Sequence, residues 1–195
     1  MSKIDDLIKQ YCPNGVEYEK LGSIWNKAPK SKSGVAKVKE MPLGEVVCFT
    51  SGDKRYFVDE WLVDGEYLFM NDGGQADIKY HNGKAYYTDH TFVFTSSKIM
   101  VKFLYYYLKK HQKYIDEKLF KGAGLKNLNK KDFECFLIAI PPLPVQEEIV
   151  KVLDTFTELE KELEKELEKE LEKRKQQYEY YRNKLLDFNN LRGGG

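Results

Sequence analysis

Ile140-Pro141-Pro142-Leu143-Pro144-Val145-Gln146-Glu147-Glu148-Ile149-Val150-Lys151-Val152-Leu153-Asp154 is the stretch at which the chain changes character. Proline lacks an amide hydrogen and fixes φ, so Pro141-Pro142-Leu143-Pro144 cannot be helix interior and marks a boundary. Beyond it, the 47 residues from Val145 to Leu191 contain neither proline nor glycine. At about 1.5 Å per residue they predict one helix about 70 Å long. Ile149, Leu153, Phe156, Leu159, Leu163, Leu167 and Leu171 form an apolar stripe along it, continued by Tyr178, Tyr181, Leu185 and Phe188. A lone helix would leave that stripe in water, so it is expected to pack against a partner as a coiled coil. Leu159, Leu163, Leu167 and Leu171 recur every fourth residue within Glu-Leu-Glu-Lys repeats. Each step turns the stripe by roughly 40°, so this middle part reads as a spacer laced with Glu–Lys pairs.

Ahead of the prolines the pattern is mixed. Ile4, Leu7, Ile8 and Tyr11 have helical spacing, and Cys12-Pro13-Asn14-Gly15 ends that helix in a turn. Val46-Val47-Cys48-Phe49, Tyr67-Leu68-Phe69-Met70, Ala85-Tyr86-Tyr87 and Thr91-Phe92-Val93-Phe94 are short apolar runs, β-branched or aromatic, that suit buried strands. Turn-rich segments at 51–55, 71–75 and 81–84 separate them. Residues 101–118 resume helical spacing, and Ile138-Ala139-Ile140 makes a last strand. The predicted class is α+β: one mixed domain over residues 1–144, a long helix over 145–192 and a flexible glycine tail over 193–195.

The chain of 195 residues carries 32 Lys and Arg against 31 Asp and Glu, which excludes a uniformly basic coat. Any anion-binding face must come from local segregation of charge. Two acid-free stretches supply it: Lys27, Lys30, Lys32, Lys37 and Lys39 within 26–39, and a second group within 118–131 that includes Lys121 and Lys126. Both contain turn-forming residues and read as loops. Cys12, Cys48 and Cys135 are odd in number and lack metal-ligand spacing, which suits a reducing, cytoplasmic setting. No apolar run is long enough to span a membrane, and the start of the chain has no secretory apolar segment.

Catalytic signatures are missing. Ile140-Pro141-Pro142-Leu143 lacks the Asn or Asp that a base-methylating Pro-Pro motif needs before its prolines. Gly122-Ala123-Gly124 has no Gly-Lys-Ser/Thr ending for a phosphate loop. Asp116-Glu117-Lys118 has no partner carboxylate placed as in a metal nuclease, and His81, His90 and His111 are not at ligand spacing. Thr88-Asp89-His90 reads as a hydrogen-bonded loop. No catalytic residue and no metal site are expected.

Three phrases resemble the specificity subunit of type I restriction–modification systems. The stretch from Leu7 to Tyr18, ending Cys12-Pro13-Asn14-Gly15-Val16-Glu17-Tyr18, is similar to the opening of many such subunits. The stretch from Ile140 to Asp154 resembles the phrase that closes a target-recognition domain and starts its spacer helix. Arg174-Lys175-Gln176-Gln177-Tyr178-Glu179-Tyr180-Tyr181-Arg182-Asn183-Lys184-Leu185-Leu186 resembles the later part of that spacer. The resemblance implies a non-catalytic subunit whose globular domain binds double-stranded DNA and whose helix recruits a methyltransferase subunit. S-adenosylmethionine and ATP would then be bound by the methyltransferase and restriction subunits, and this chain would hold no cofactor. The family's usual subunit carries two recognition domains and two spacers; this chain has one of each. It is either a natural half-length subunit or the front half of a longer one, and a homodimer would rebuild the two-reader arrangement around a split site.

Phosphates require positive charge, and bases are read by side chains such as Arg, Lys, Asn and Gln. The expected DNA-binding residues are Lys30, Lys32, Lys54, Arg55, Asn71, Gln75, His81, Asn82, Lys84, Lys121, Lys126 and Asn127, with Tyr56 and Tyr80 packing along sugars. The segment from Lys121 to Leu128 occupies the place of a small-residue loop in the family. The competing reading is a coiled-coil scaffold protein whose head binds protein, and salt-sensitive DNA affinity separates the two.

Overall fold

The computed structural model of the protein describes residues 3–52 and 54–187. Contacts divide the chain into two units, Met1–Val150 and Lys151–Gly195. The elements begin with α1 (Lys3–Tyr11), β1 (Glu17–Lys20), α2 (Leu21–Ile24), β2 (Trp25–Lys27) and α3 (Val35–Glu40). Strands follow as β3 (Val46–Phe49), β4 (Tyr56–Val58), β5 (Glu66–Asn71), β6 (Ile78–Asn82), β7 (Ala85–Tyr87) and β8 (Thr91–Ser96). Next come α4 (Val101–Lys110), α5 (Gln112–Tyr114), a π turn (Ile115–Leu119), β9 (Phe120–Lys121), β10 (Asn127–Leu128), α6 (Lys130–Glu134) and β11 (Leu137–Ile140). The long helix α7 covers Leu143–Leu186.

Side-chain alternation builds the globular unit in layers. A four-stranded antiparallel sheet, in the order β2-β8-β5-β6, faces a three-stranded sheet, β4-β3-β7, in which β3 and β7 run parallel. On β5, Leu68 and Met70 point to one core with α4, while Phe69 points the other way into a core between the sheets. Phe94 and Val93 of β8 divide in the same manner. On β3 and β7, Val47, Phe49, Ala85 and Tyr87 face that inter-sheet core, and Cys48 and Tyr86 face Val38 of α3. Strands buried on both faces have no polar positions to spare, which is why they read as continuous apolar runs. Each fully buried large side chain contributes roughly 1.5–3 kcal/mol.

β1 and β11 form a separate antiparallel ribbon, Tyr18 opposite Ala139, that closes the unit by joining its two ends. The proline phrase has a visible task there. Gln146 is buried; its Nε2 donates to the Pro141 carbonyl at 2.7 Å, and its Oε1 accepts from the Met100 amide at 2.9 Å, at the start of α4. Val145 and Val150 are buried as well.

Several local expectations change. Residues 26–39 do not form one loop, because β2 pairs with β8 and Val38 anchors α3 in an apolar cluster. Residues 118–131 hold the β9–β10 hairpin and the start of α6. The helix expected over 101–118 breaks at His111 and passes into the π turn, which turns both Ile115 and Leu119 inward. β1 and β6 escape an apolar-run reading because they are short edge strands with outward polar residues, and β4 because it is only three residues long, with Phe57 exposed.

Candidate nucleic-acid interface

Strand direction gathers several loops at one end of the two sheets. β3, β5 and β7 finish there, and β4, β6 and β8 begin there. The Thr91 hydroxyl of β8 donates to the Phe49 carbonyl of β3 at 3.5 Å, which ties the two sheets together at that end. Segments 28–34, 50–55, 72–77 and 88–90 therefore emerge together, and the β9–β10 hairpin joins them: Gly74 N donates to Lys126 O at 2.8 Å and Leu128 N to Asp72 O at 3.0 Å.

Each loop is tied down from below. In the first, Ser31 and Ser33 are buried while Lys30 and Lys32 are exposed, an in-and-out alternation. Ser33 Oγ meets Tyr86 OH at 2.8 Å, and Tyr87 OH donates to the Pro29 carbonyl. Burial, reinforced by Tyr67 and Tyr86, pushes the Tyr87 hydroxyl up to about 12, so it remains a donor. In the second loop, Thr50 Oγ1 accepts from Gly52 N at 3.2 Å and donates to Lys54 O at 3.0 Å. The Arg55 guanidinium lies 5.9 Å from the Phe49 ring, itself stacked at 4.1 Å on Phe69.

Asp72 is the junction of the remaining loops. Its amide donates to His90 O at 3.0 Å, its carbonyl takes Leu128 N, and its carboxylate pairs with Lys130 at 3.0 Å. A Cβ on Gly73 would stand 2.9 Å from Asn127 Oδ1, so a larger residue here would displace the Asn127 side chain. At Gly122, φ is +152° and a Cβ would meet Leu125 O at 2.4 Å. The far side of the loop is held by the Asp116 carboxylate, which accepts from Ala76 N at 2.6 Å. Partial burial pushes the neighbouring Asp77 carboxyl up, but Lys79 at 2.7 Å and Lys109 at 3.4 Å outweigh it and hold the group below its ordinary value.

This end collects Lys30, Lys32, Lys54, Arg55, Gln75, Lys126 and Asn127, all exposed. Among the described residues, no acid pairs with Lys30, Lys32, Lys54, Arg55 or Lys126. Lys121 is different, because it pairs with Asp132. Asn71, expected to contact DNA, is instead buried, and its Nδ2 donates to Gln75 O at 3.3 Å, so it shapes the loop from within. Tyr56 is half-buried against the Val38 cluster. Tyr80 lies on the helix side of β6, 5.9 Å from Tyr105, with its hydroxyl donating to Glu66. His81, Asn82 and Lys84 sit at the opposite end of β6, lining a cleft with Trp61, over which Lys84 Nζ stands at 3.7 Å. The expected face is thus divided between two ends of the sheets. Asp72 and Lys130 went unread because an ion pair between residues 58 apart leaves no local signal.

Ile149 belongs to the globular core and not to the free stripe. Leu153 is half-buried, whereas Phe156, Leu159, Leu163, Leu167, Leu171, Tyr178, Tyr181 and Leu185 are 49–71% exposed. Phe188 and the glycine tail lie outside the described residues. Among the described residues, no group of His, Cys, Asp or Glu could hold a metal ion, and no helix is long and apolar enough to cross a membrane.

This architecture, a two-sheet α+β unit leading into a long helix, is that of type I specificity proteins. The chain belongs to the type I restriction–modification DNA specificity domain family, whose sequence pattern matches residues 13–173. It is 35% identical over 158 residues to a candidate type I restriction enzyme specificity subunit of Haemophilus influenzae, covering 76% of this chain and 40% of the relative. It is 32% identical over 128 residues to the type I restriction enzyme MpnII specificity subunit of Mycoplasma pneumoniae, covering 64% and 38%. The fold matches the crystal structure of a type I restriction–modification S subunit from M. genitalium, with TM-score 0.62 and 18% identity over 74% of this chain and 40% of that one. The HsdS subunit of Thermoanaerobacter tengcongensis gives a TM-score of 0.55 at 14% identity, covering 80% and 42%. The chain spans about 40% of the length of the Haemophilus and Mycoplasma relatives.

Proposed function

We propose that residues 1–144 bind one half of a bipartite double-stranded DNA site, and that segment 145–192 sets the distance to a second reader and recruits a methyltransferase subunit. The observation that carries this reading is the cluster of Lys30, Lys32, Lys54, Arg55 and Lys126 at one end of the sheets, exposed and without a described acid partner. Family membership supports it. Cations placed in this way neutralise phosphates and release counterions, which gives affinity without sequence preference. Gln75 and Asn127, exposed beside them, have the donor–acceptor pairs needed to read base edges.

In this reading the chain performs no catalysis. A methyltransferase subunit supplies S-adenosylmethionine chemistry and a restriction subunit supplies ATP-dependent cleavage, in the cytoplasm. A second copy, paired through the helix stripe, provides the second reader, and its two-fold symmetry makes the site a split palindrome. The test is methylome sequencing of cells that express this chain with its cognate methyltransferase subunit. A new split, symmetric motif is expected. An asymmetric motif would replace the second copy with a different reader, and no motif despite a copurifying complex would leave a scaffold whose head binds protein.

A further inference from the structure

We propose that a cleft on the outer face of the β1–β11 ribbon docks an arginine side chain presented by a partner protein. The open cleft, of about 590 Å³, is lined by Tyr18, Tyr107, His111, Tyr114, Phe136 and Leu137, with Asp132 at its edge. Ribbon alternation creates it: Ile138 is wholly buried, so Leu137 and Tyr18 face outward. The floor is a chain of rings. Tyr107 and His111 lie 4.6 Å apart, His111 and Phe136 5.6 Å, and Phe136 and Tyr114 6.0 Å. Tyr18, Tyr114 and Leu137 remain 60%, 50% and 53% exposed.

The described cations of the unit cover several of its rings but none of those in this cleft. A ring face is electron-rich and attracts cations. Trp25, Phe49, Trp61, Tyr80 and Phe92 each have a lysine or arginine of this chain 3.7–5.9 Å from the ring centre. Among the described residues, no such group stands over Tyr18, Tyr107, Tyr114 or Phe136. The Asp132 carboxylate is paired with Lys121, but both side chains are about half exposed, at 42% and 58%. An exposed pair of this kind is weak and exchangeable.

Ring faces beside a carboxylate complement a guanidinium, which stacks flat and forks onto the acid; an ammonium does only the second. A DNA phosphate fits less well, because the ring faces repel it and Asp132 already occupies the ammonium of Lys121. His111 Nδ1 is already engaged by the Tyr107 carbonyl at 2.8 Å. Tyrosine clusters that receive arginine are also typical of protein interfaces. The inference does not depend on the DNA reading above and stands or falls separately from it.

The test is an NMR titration of the full chain with N-acetyl-arginine amide, and with its uncharged citrulline and its lysine counterparts. Ring signals of Tyr18 and Tyr114 are expected to shift with the arginine probe and saturate at millimolar concentration. Citrulline should leave them unmoved, and lysine should bind at least about threefold more weakly. Asp132→Asn should weaken the arginine probe by a similar factor with the melting temperature unchanged. Equal response to citrulline, or an unaltered affinity in Asp132→Asn, would overturn the proposal. So would larger shifts on adding a short random duplex, which would assign the cleft to DNA. Shifts of the same rings on diluting the chain alone would assign it to a second copy.

Discussion

Lys126 stands in the turn of the β9–β10 hairpin, exposed and without a described acid partner, while its carbonyl is fixed by Gly74 N at 2.8 Å. The backbone is held and the charge is free, the arrangement a phosphate contact requires. Lys126→Ala should weaken binding to every duplex alike and lower the slope of log affinity against log salt by about one. Salt-dependent fluorescence anisotropy on two unrelated duplexes checks this, and a loss confined to one sequence would move Lys126 from phosphate to base contact. Asp72 should behave differently, since it faces Lys130 and two other loops and offers DNA no positive charge. Asp72→Asn should relax the methylated motif while leaving the salt slope intact, and Asp72→Lys combined with Lys130→Asp should restore part of the preference. A motif that survives Asp72→Asn unchanged would reduce the pair to an ordinary surface contact. Lys30, Lys32 and Lys126 were legible within acid-free basic stretches, and Lys54 and Arg55 as residues of a turn-rich segment. Asn71 is buried and bonded to the Gln75 carbonyl, and nothing local in the sequence distinguishes an amide that braces a loop from one that reads a base.

Elements are positioned here by a few buried polar contacts between distant segments. Gln146 connects the first turn of α7 to the first turn of α4, and replacing it by leucine strands the Met100 amide. An unsatisfied buried donor costs roughly 1–3 kcal/mol, so Gln146→Leu should lower the urea midpoint while helix content persists. An unchanged midpoint would show that water replaces the side chain. Asp77 gives a pH-dependent version of the same logic. Its carboxyl is held below its ordinary value by Lys79 and Lys109 against the effect of partial burial, so the unfolded chain binds the proton more readily than the folded one. That contribution to stability is complete above the ordinary carboxylate value of about 4 and is lost as the pH falls through the lowered folded value. Asp77→Asn should therefore flatten the stability curve below about pH 4, as followed by thermal melts across pH. Apolar runs announced β3, β5, β7 and β8, whereas β1, β4 and β6 exist because a neighbouring strand accepts their hydrogen bonds. Their own side chains are largely polar or exposed, and composition does not reveal a partner.

For the molecule as a whole, the open question is what meets the stripe of α7. Leu159, Leu163, Leu167 and Leu171 are 55–60% exposed on a helix of 44 residues, an apolar stripe that a lone helix would leave in water. Paired chains are expected at micromolar concentration by light scattering. Leu163→Asp with Leu167→Asp should give monomers whose globular unit melts as before, and a wild-type chain that is already monomeric would rule out pairing through the stripe. The sequence by itself determined the long helix, the mixed α+β class and the family. These follow from local rules: a proline- and glycine-free amphipathic run forms a helix, and doubly buried strands must be apolar throughout. Only the tertiary structure decided which cations share a face. Lys30, Arg55 and Lys126 are far apart in the chain and meet because the strands finish or start at the same end of the sheets, whereas His81 and Lys84 are carried to the opposite end by the direction of β6. Strand pairing is a long-range choice set by the fit of whole faces, and no short stretch of residues contains it.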